Sequence, residues 1–255
     1  MPKYSQVFLK DTRMCGRIAS ALEPEGFVSA VEIGPGRGAL TEFLAPLWGD
    51  KLSVVEIDPL LAVRLKEKFP GLSVRNADFM SLEQDSLCGN GLTAFIGNLP
   101  YECSTAILLK VLGLDRFGAA VFMFQREVAR KITAAVGDHD YGYLSVAVQA
   151  RSEAVLLADV PAGSFSPVPK VDSSVLILRP RRLLPGTCDL DGFLGFVKNA
   201  FSHRRKTLAN SLALGLGIDK VEAGARIEAA GFDPGLRPQN LSVNDYIVLS
   251  ASFRL

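Results

Sequence analysis

The chain has 255 residues, 48% of them hydrophobic, and a formal net charge of +1, enough to bury a substantial core as one large domain plus a small one. Its four cysteines, at 15, 88, 103 and 188, show no Cys-x-x-Cys spacing and only two histidines are present, so neither a zinc site nor a disulfide framework is expected, and no metal. Met1 to Gly16 holds no apolar stretch of signal-peptide length and no run of about 18 apolar residues occurs elsewhere, which argues against secretion and membrane spanning and for a cytoplasmic protein with reduced thiols.

Near the start, Asp11 caps an expected helix with Met14, Ile18 and Leu22 on one face, positioned to lie over a ligand entrance. Ala30-Val31-Glu32-Ile33 has the form of a buried strand and runs into Gly34-Pro35-Gly36-Arg37-Gly38-Ala39, then a helical Leu40-Thr41-Glu42-Phe43-Leu44. Glycines at 34 and 36 allow a tight turn and a close approach of backbone to a ligand. A second strand, Leu52 to Asp58, carries Glu56 where a Rossmann-type unit, about 20 residues on, places the carboxylate that takes two ribose hydroxyls. A third run, Leu72-Ser73-Val74-Arg75, leads to Asp78, an acceptor for an adenine amino group, with Phe79 beside it.

The fourth strand, Ala94-Phe95-Ile96-Gly97, runs into Asn98-Leu99-Pro100-Tyr101. The exocyclic nitrogen of adenine shares its lone pair with the ring and is a poor nucleophile until acceptors engage its protons. The Asn98 side-chain oxygen and the Leu99 carbonyl suit that task, because Pro100 has no competing N–H and a fixed φ. Tyr101 would lie against the base face, where stacking is worth about 1–3 kcal/mol. These four residues equally suit a strand followed by a proline turn, so the surrounding pattern has to decide.

Strands are expected near 119–124, 154–157 and 174–178, the last two joined by a loop-rich link that suggests an antiparallel end to a mostly parallel sheet. In that link Pro167 and Pro169 hold Phe165 to Ser173 extended, with Lys170 a candidate for phosphate and Asp172 for a strand cap. After residue 186 the pattern is helical only, with Phe193, Phe196, Val197, Ala200 and Phe201 on one face. The basic run at 203–206 cannot share one side of a continuous helix, since four successive residues span about 300°, so a break with Ser202 as N-cap is expected. The domains therefore read as an α/β unit over 1–182 and a small all-α unit over 186–255. Positive charge is local: Lys3, Lys10, Arg13 and Arg17; Arg179, Arg181 and Arg182; and Lys198, Arg204, Arg205 and Lys206, a pattern suited to an RNA track.

Two cofactors fit this series of strand, glycine loop, helix, strand and acid. NAD would want Gly-x-Gly-x-x-Gly, of which Ala39 is a permitted variant. Against it stand Gly38, Asp78 and the Asn98 motif, for which a dehydrogenase has no use. S-adenosylmethionine fits better, having an adenosine for Glu56 and Asp78 to hold, no pyrophosphate, and a methyl to aim at a bound nucleophile.

With these residues in place the chain resembles the ribosomal RNA adenine dimethyltransferases, and more closely the small-subunit (16S) branch. The resemblance extends over nearly the whole chain, through Gln6-Val7-Phe8-Leu9, Glu32 to Gly36, Glu56-Ile57-Asp58, Asp78, Asn98 to Tyr101, Phe165 to Ser173, and Ala200 to Leu208. It implies a Rossmann-like class I methyltransferase sheet over 1–182 and a helical RNA-recognition domain over 186–255. The implied cofactor contacts are Val7, Leu9, Gly34, Glu56, Asp78 and Asn98, to which the neighbours Gln6, Gly36, Ile57 and Phe79 are added. Asn98, Leu99, Pro100 and Tyr101 would hold the target base, Phe165 would close on its other face, and Lys198, Arg204, Arg205 and Lys206 would meet RNA. One departure stands out: where the family usually has Gly-Gln-Asn or Gly-Gln-His before Phe-Leu, this chain has Ser5-Gln6-Val7, losing a polar contact and implying weaker cofactor binding.

The activity so implied is transfer of two methyl groups from S-adenosylmethionine, leaving S-adenosylhomocysteine, to the N6 of each of two adjacent adenines near the 3′ end of small-subunit RNA. The partner would be 16S RNA in a small-subunit precursor, the protein acting as a monomer. Other readings are a large-subunit RNA or DNA adenine methyltransferase, the latter usually with Asp in place of Asn98, and a ribosome-assembly factor without need of catalysis.

Overall fold

The computed structural model describes residues 7–181, 183 and 189–253; Lys3, Gln6, Arg182 and Cys188, all named above, lie outside the described residues. The chain divides into two compact units, one running to Ala129 and resuming at Ala154–Pro180, the other made of Arg130–Glu153 and the chain from Arg181 onward.

The first unit begins with β1 (Phe8–Leu9) and α1 (Thr12–Ala19). As expected, Asp11 caps α1, its carboxylate accepting from the Met14 N–H at 3.1 Å, and Met14 and Ile18 are buried on it; Leu22 is buried too but lies beyond the helix, which ends at Ala19. There follow β2 (Ser29–Ile33), α2 (Thr41–Trp48), β3 (Leu52–Glu56), α3 (Pro59–Lys68), β4 (Ser73–Asn76), the short α4 (Gln84–Leu87), β5 (Thr93–Asn98), α5 (Ser104–Gly113) and β6 (Phe117–Gln125). The helix α6 (Arg126–Thr133) crosses into the second unit, α7 (Tyr143–Gln149) lies within it, and β7 (Ser152–Val160), β8 (Phe165–Ser166) and β9 (Ser173–Pro180) follow.

Seven strands form one sheet in the order β4-β3-β2-β5-β6-β9-β7. β2 runs parallel to both β3 and β5, β3 to β4 and β5 to β6, whereas β9 is antiparallel to β6. This is the α/β sheet with an antiparallel end that the apolar runs imply. The chain leaves β2 toward β3 and β4, then returns to β5 and β6, so strand order reverses at β2 and β5, and the crevice at their carboxyl ends is where such sheets bind ligands. Gly97 brings these two strands together: a Cβ there would lie 2.7 Å from the Ile33 carbonyl oxygen, a contact no side chain tolerates.

Glu32 interrupts the apolar β2 with a carboxylate that is 1% exposed, its Oε2 accepting from Thr41 Oγ1 at 2.7 Å. That bond ties the first turn of α2 to the strand beneath it. Burial pushes the Glu32 carboxyl up to about 8, against the opposing effect of the Thr41 bond and helped by the charge of Glu56.

The link from β7 to β9 is held at both ends. Asp172 accepts from the Ala162 N–H at 2.8 Å and pairs with Arg126 at 3.1 Å, bridging across the link rather than capping β9. β8 pairs antiparallel with β1, placing Phe165 opposite Leu9.

The second unit continues through α8 (Leu190–Phe201), α9 (Leu208–Leu216), α10 (Lys220–Ala229) and α11 (Val243–Ser252). Tyr141, Val146 and Ala150 belong to its core with Phe193, Phe196, Leu208, Ile227 and Leu249. The single boundary drawn after residue 182 therefore differs from the structure, which assigns 130–153 to the helical unit because their apolar side chains complete that core. Two buried tyrosines knit the unit, Tyr141 donating to Leu241 O at 2.9 Å and Tyr246 to Pro238 O at 2.7 Å. The helix break at the basic run is present, but Ser202 ends α8, its hydroxyl donating to Asn199 O at 2.7 Å, and Thr207 caps α9.

A fragment beginning at residue 186 lacks Tyr141, Val146 and Ala150; circular dichroism on heating should give no cooperative transition, and a sharp one would contradict this account of the core. Glu32 makes a second prediction. The native carboxyl keeps its proton up to about pH 8 while the unfolded chain releases it near 4.5, so between those values the folded state binds more protons and stability falls as pH rises. Glu32→Gln should melt with a smaller decline than the unsubstituted protein from about pH 5 to about pH 8; parallel declines would show that Glu32 ionises normally.

Candidate functional site

A cavity of about 280 Å³ opens at the carboxyl ends of β2, β3 and β5. Its floor is the glycine loop after β2, in which Gly34, Gly36 and Gly38 have φ of +66°, +59° and +81°, the left-handed region in which side chains are strained. Gly36 is also crowded, since a Cβ there would meet the Phe8 ring at 2.9 Å.

Glu56, at the end of β3, is 4% exposed and lines the cavity. Its Oε2 accepts from the Gly36 N–H and its Oε1 from the Asp58 N–H, each at 2.9 Å. Burial raises the Glu56 pKa, and these two backbone bonds oppose the rise. A carboxylate has about four lone-pair sites, so acceptor capacity remains for a ligand's hydroxyls. Ile57, 40% exposed on the same cavity, and Leu61 offer an apolar wall suited to a flat ring.

Asn98 ends β5, and its Nδ2 donates to the Val7 carbonyl at 3.1 Å. That bond holds the amide by its nitrogen and leaves Oδ1 without a protein partner among the described residues, an acceptor facing a cavity also lined by Leu99, Pro100 and Tyr101. The Tyr101 hydroxyl and Ser173 Oγ are 2.8 Å apart, which anchors the ring at its far end. The donor set fits adenosine-type chemistry: a diol acceptor at Glu56, an amine acceptor at Asn98 and an aromatic face at Tyr101.

Of the residues expected here, Val7, Leu9, Gly34, Gly36, Glu56, Ile57 and Asn98 to Tyr101 all line this same cavity. Three others do not. Phe165 is fully buried in the core of the first unit, because pairing with Leu9 turns its ring inward, so the expected sandwich of a base between Phe165 and Tyr101 is not formed by the ring as it lies. Phe79 is 4% exposed and packs edge-on against Phe95 at 6.5 Å. Asp78 caps the turn after β4, accepting from the Met80 N–H at 2.8 Å, yet its charge, after burial, contributes to raising the pKa of Cys103, which does line the cavity. Lys198, Arg204, Arg205 and Lys206 belong to the second unit; the Arg204 guanidinium donates to His139 O there, and Lys198, Arg205 and Lys206 are exposed. Glu32, Arg37, Glu102 and Cys103 line the cavity without having been singled out as site residues. A carboxylate inside an apolar strand was the available signal for Glu32, and an arginine flanked by two loop glycines for Arg37.

Comparison with known proteins agrees with this geometry. Residues 1–233 match the family described as ribosomal RNA adenine dimethylase. Among similar curated proteins, ribosomal RNA small subunit methyltransferase A of Coxiella burnetii is 36% identical over 253 residues, covering 97% of this chain and 95% of the relative. That of Desulfitobacterium hafniense is 38% identical over 244 residues, 94% of this chain and 87% of the relative. The solved 23S rRNA methyltransferase ErmE is 30% identical with a TM-score of 0.70, covering 96% of this chain and 98% of its own. A dimethyladenosine transferase from Plasmodium falciparum shares the fold, with a TM-score of 0.79 at 24% identity over 95% of each chain. With the glycine loop, Glu56 and the Asn98 motif converging on one cavity and the family match running through residue 233, this chain belongs to the ribosomal RNA adenine dimethylases.

Proposed function

We propose that the protein uses S-adenosylmethionine to dimethylate the N6 of two adjacent adenines near the 3′ end of 16S RNA, acting as a monomer on a small-subunit precursor in the cytoplasm. The observation that carries this reading is the Asn98 amide, held by Val7 O and opening Oδ1 into the cavity that Glu56 and the glycine loop line. The cofactor supplies an electrophilic sulfonium methyl. Glu56 takes ribose hydroxyls, and Asp78, outside the cavity lining but close enough for its charge to act on Cys103 there, is assigned the cofactor's adenine amino group. Asn98 Oδ1 and the Leu99 carbonyl accept from the target amine and free its lone pair for in-line attack, while Tyr101 stacks on the base and fixes its plane. The proton departs once the nitrogen is cationic, so alignment rather than a general base carries the rate. A paired base is out of reach of the Asn98 motif, so the substrate adenine is unpaired or extruded.

The named relatives at 36% and 38% identity favour the small subunit, whereas the 30% identity to ErmE keeps large-subunit RNA as a second reading. Lys198, Arg205 and Lys206, exposed on the helical unit, are assigned to phosphate. Among the described residues no helix is long and apolar enough to cross a membrane.

Radiolabel transfer from S-adenosylmethionine to undermethylated small-subunit particles should yield dimethyladenosine; label entering only large-subunit RNA or DNA would overturn the assignment. Asn98→Ala should lower that transfer by about a hundredfold or more, and retention of full activity would remove the amide from the mechanism. Lys206→Glu should weaken RNA binding and flatten its salt dependence by about one unit of log–log slope, with an unchanged slope contradicting the phosphate role.

A further inference from the structure

Arg37 sits between Gly36 and Gly38 on the floor of the cavity and is exposed to it. Its guanidinium carbon lies 4.5 Å from the centroid of the Phe8 ring, the same ring that packs against Gly36. Stacking on an aromatic face immobilises the guanidinium plane but leaves its edge N–H groups free to donate. Among the described residues no carboxylate pairs with Arg37, although Glu32, Glu56 and Glu102 line the same cavity. Among the described residues lining it, Arg37 is also the one lysine or arginine.

We infer that Arg37 holds the α-carboxylate of the cofactor's amino-acid tail, a reading that rests on the cofactor assignment above. S-adenosylmethionine carries a single anionic group, that carboxylate, and it must enter a cavity lined by three carboxyl side chains. Glu56 is committed to the loop and to hydroxyls, and Val7 offers no polar side chain. A planar guanidinium resting over Phe8 at the cavity can take a carboxylate through two parallel N–H···O bonds. Arg37 thereby supplies from the glycine loop the polar contact that Val7 lacks in the first strand. Because the carboxylate is unchanged in the product, Arg37 binds substrate and product cofactor alike and acts on KM rather than kcat.

Calorimetric titration with S-adenosylhomocysteine and with 5′-methylthioadenosine, which lacks the amino-acid tail, tests this. Arg37→Ala should weaken S-adenosylhomocysteine about tenfold while changing 5′-methylthioadenosine by less than about twofold, and Arg37→Lys should fall between, since an ammonium cannot make the paired contact. Retained binding of 5′-methylthioadenosine also reports that the variant is folded. Equal losses for both ligands, no loss for either, or a loss confined to RNA binding would overturn the role of Arg37. Failure of the unsubstituted protein to bind either ligand would instead overturn the cofactor assignment on which the inference rests.

Discussion

Gly36 donates its backbone N–H to Glu56 Oε2 at 2.9 Å while Asp58 donates to Oε1 at the same distance, so one buried carboxylate joins the glycine loop after β2 to the end of β3. The loop needs this tie because its three glycines impose no conformation of their own. The carboxylate needs it because burial disfavours its charged form and backbone N–H groups restore it. Each therefore positions the other at the point where strand order reverses, and the cavity takes its shape from that pair.

A second dependence runs from the first strand to the Asn98 amide. Asn98 is oriented by the Val7 carbonyl, a backbone group that the side chain at position 7 does not determine. The adjoining Phe8–Leu9 is in turn paired to Phe165–Ser166, and the link containing them is pinned by Asp172 to Arg126 and to the Ala162 N–H. Those charges are more than a third exposed, so the ion pair contributes modestly, on the order of 1 kcal/mol or less, and the link is held mainly by strand pairing and buried Phe165. Phe165 thus bears on the Asn98 amide through β1.

Features written in short stretches of chain were legible in advance: the apolar strands, the loop glycines, Glu56 at its interval, the Asp11 cap and the Asn98 motif. Their physics is local, so periodicity and turn chemistry reveal it. What escaped depends on pairing across long separations. The direction of the Phe165 ring follows from its partner Leu9, which no local pattern announces. Residues 130–153 join the helical unit because Tyr141, Val146 and Ala150 fill its core, although they precede two strands of the sheet. Ser202 and Thr207 are both capping residues by type, and only the hydrogen bonds distinguish the one that ends a helix from the one that begins the next. Arg37 reads as an ordinary loop residue until Phe8 is seen beneath it.

Whether this cavity methylates unpaired adenines of the small subunit is read most directly by mass spectrometry of small-subunit RNA from cells with and without the protein. Two adjacent dimethyladenosines near the 3′ end should disappear when the protein is removed; an unchanged spectrum of that RNA would rule this activity out.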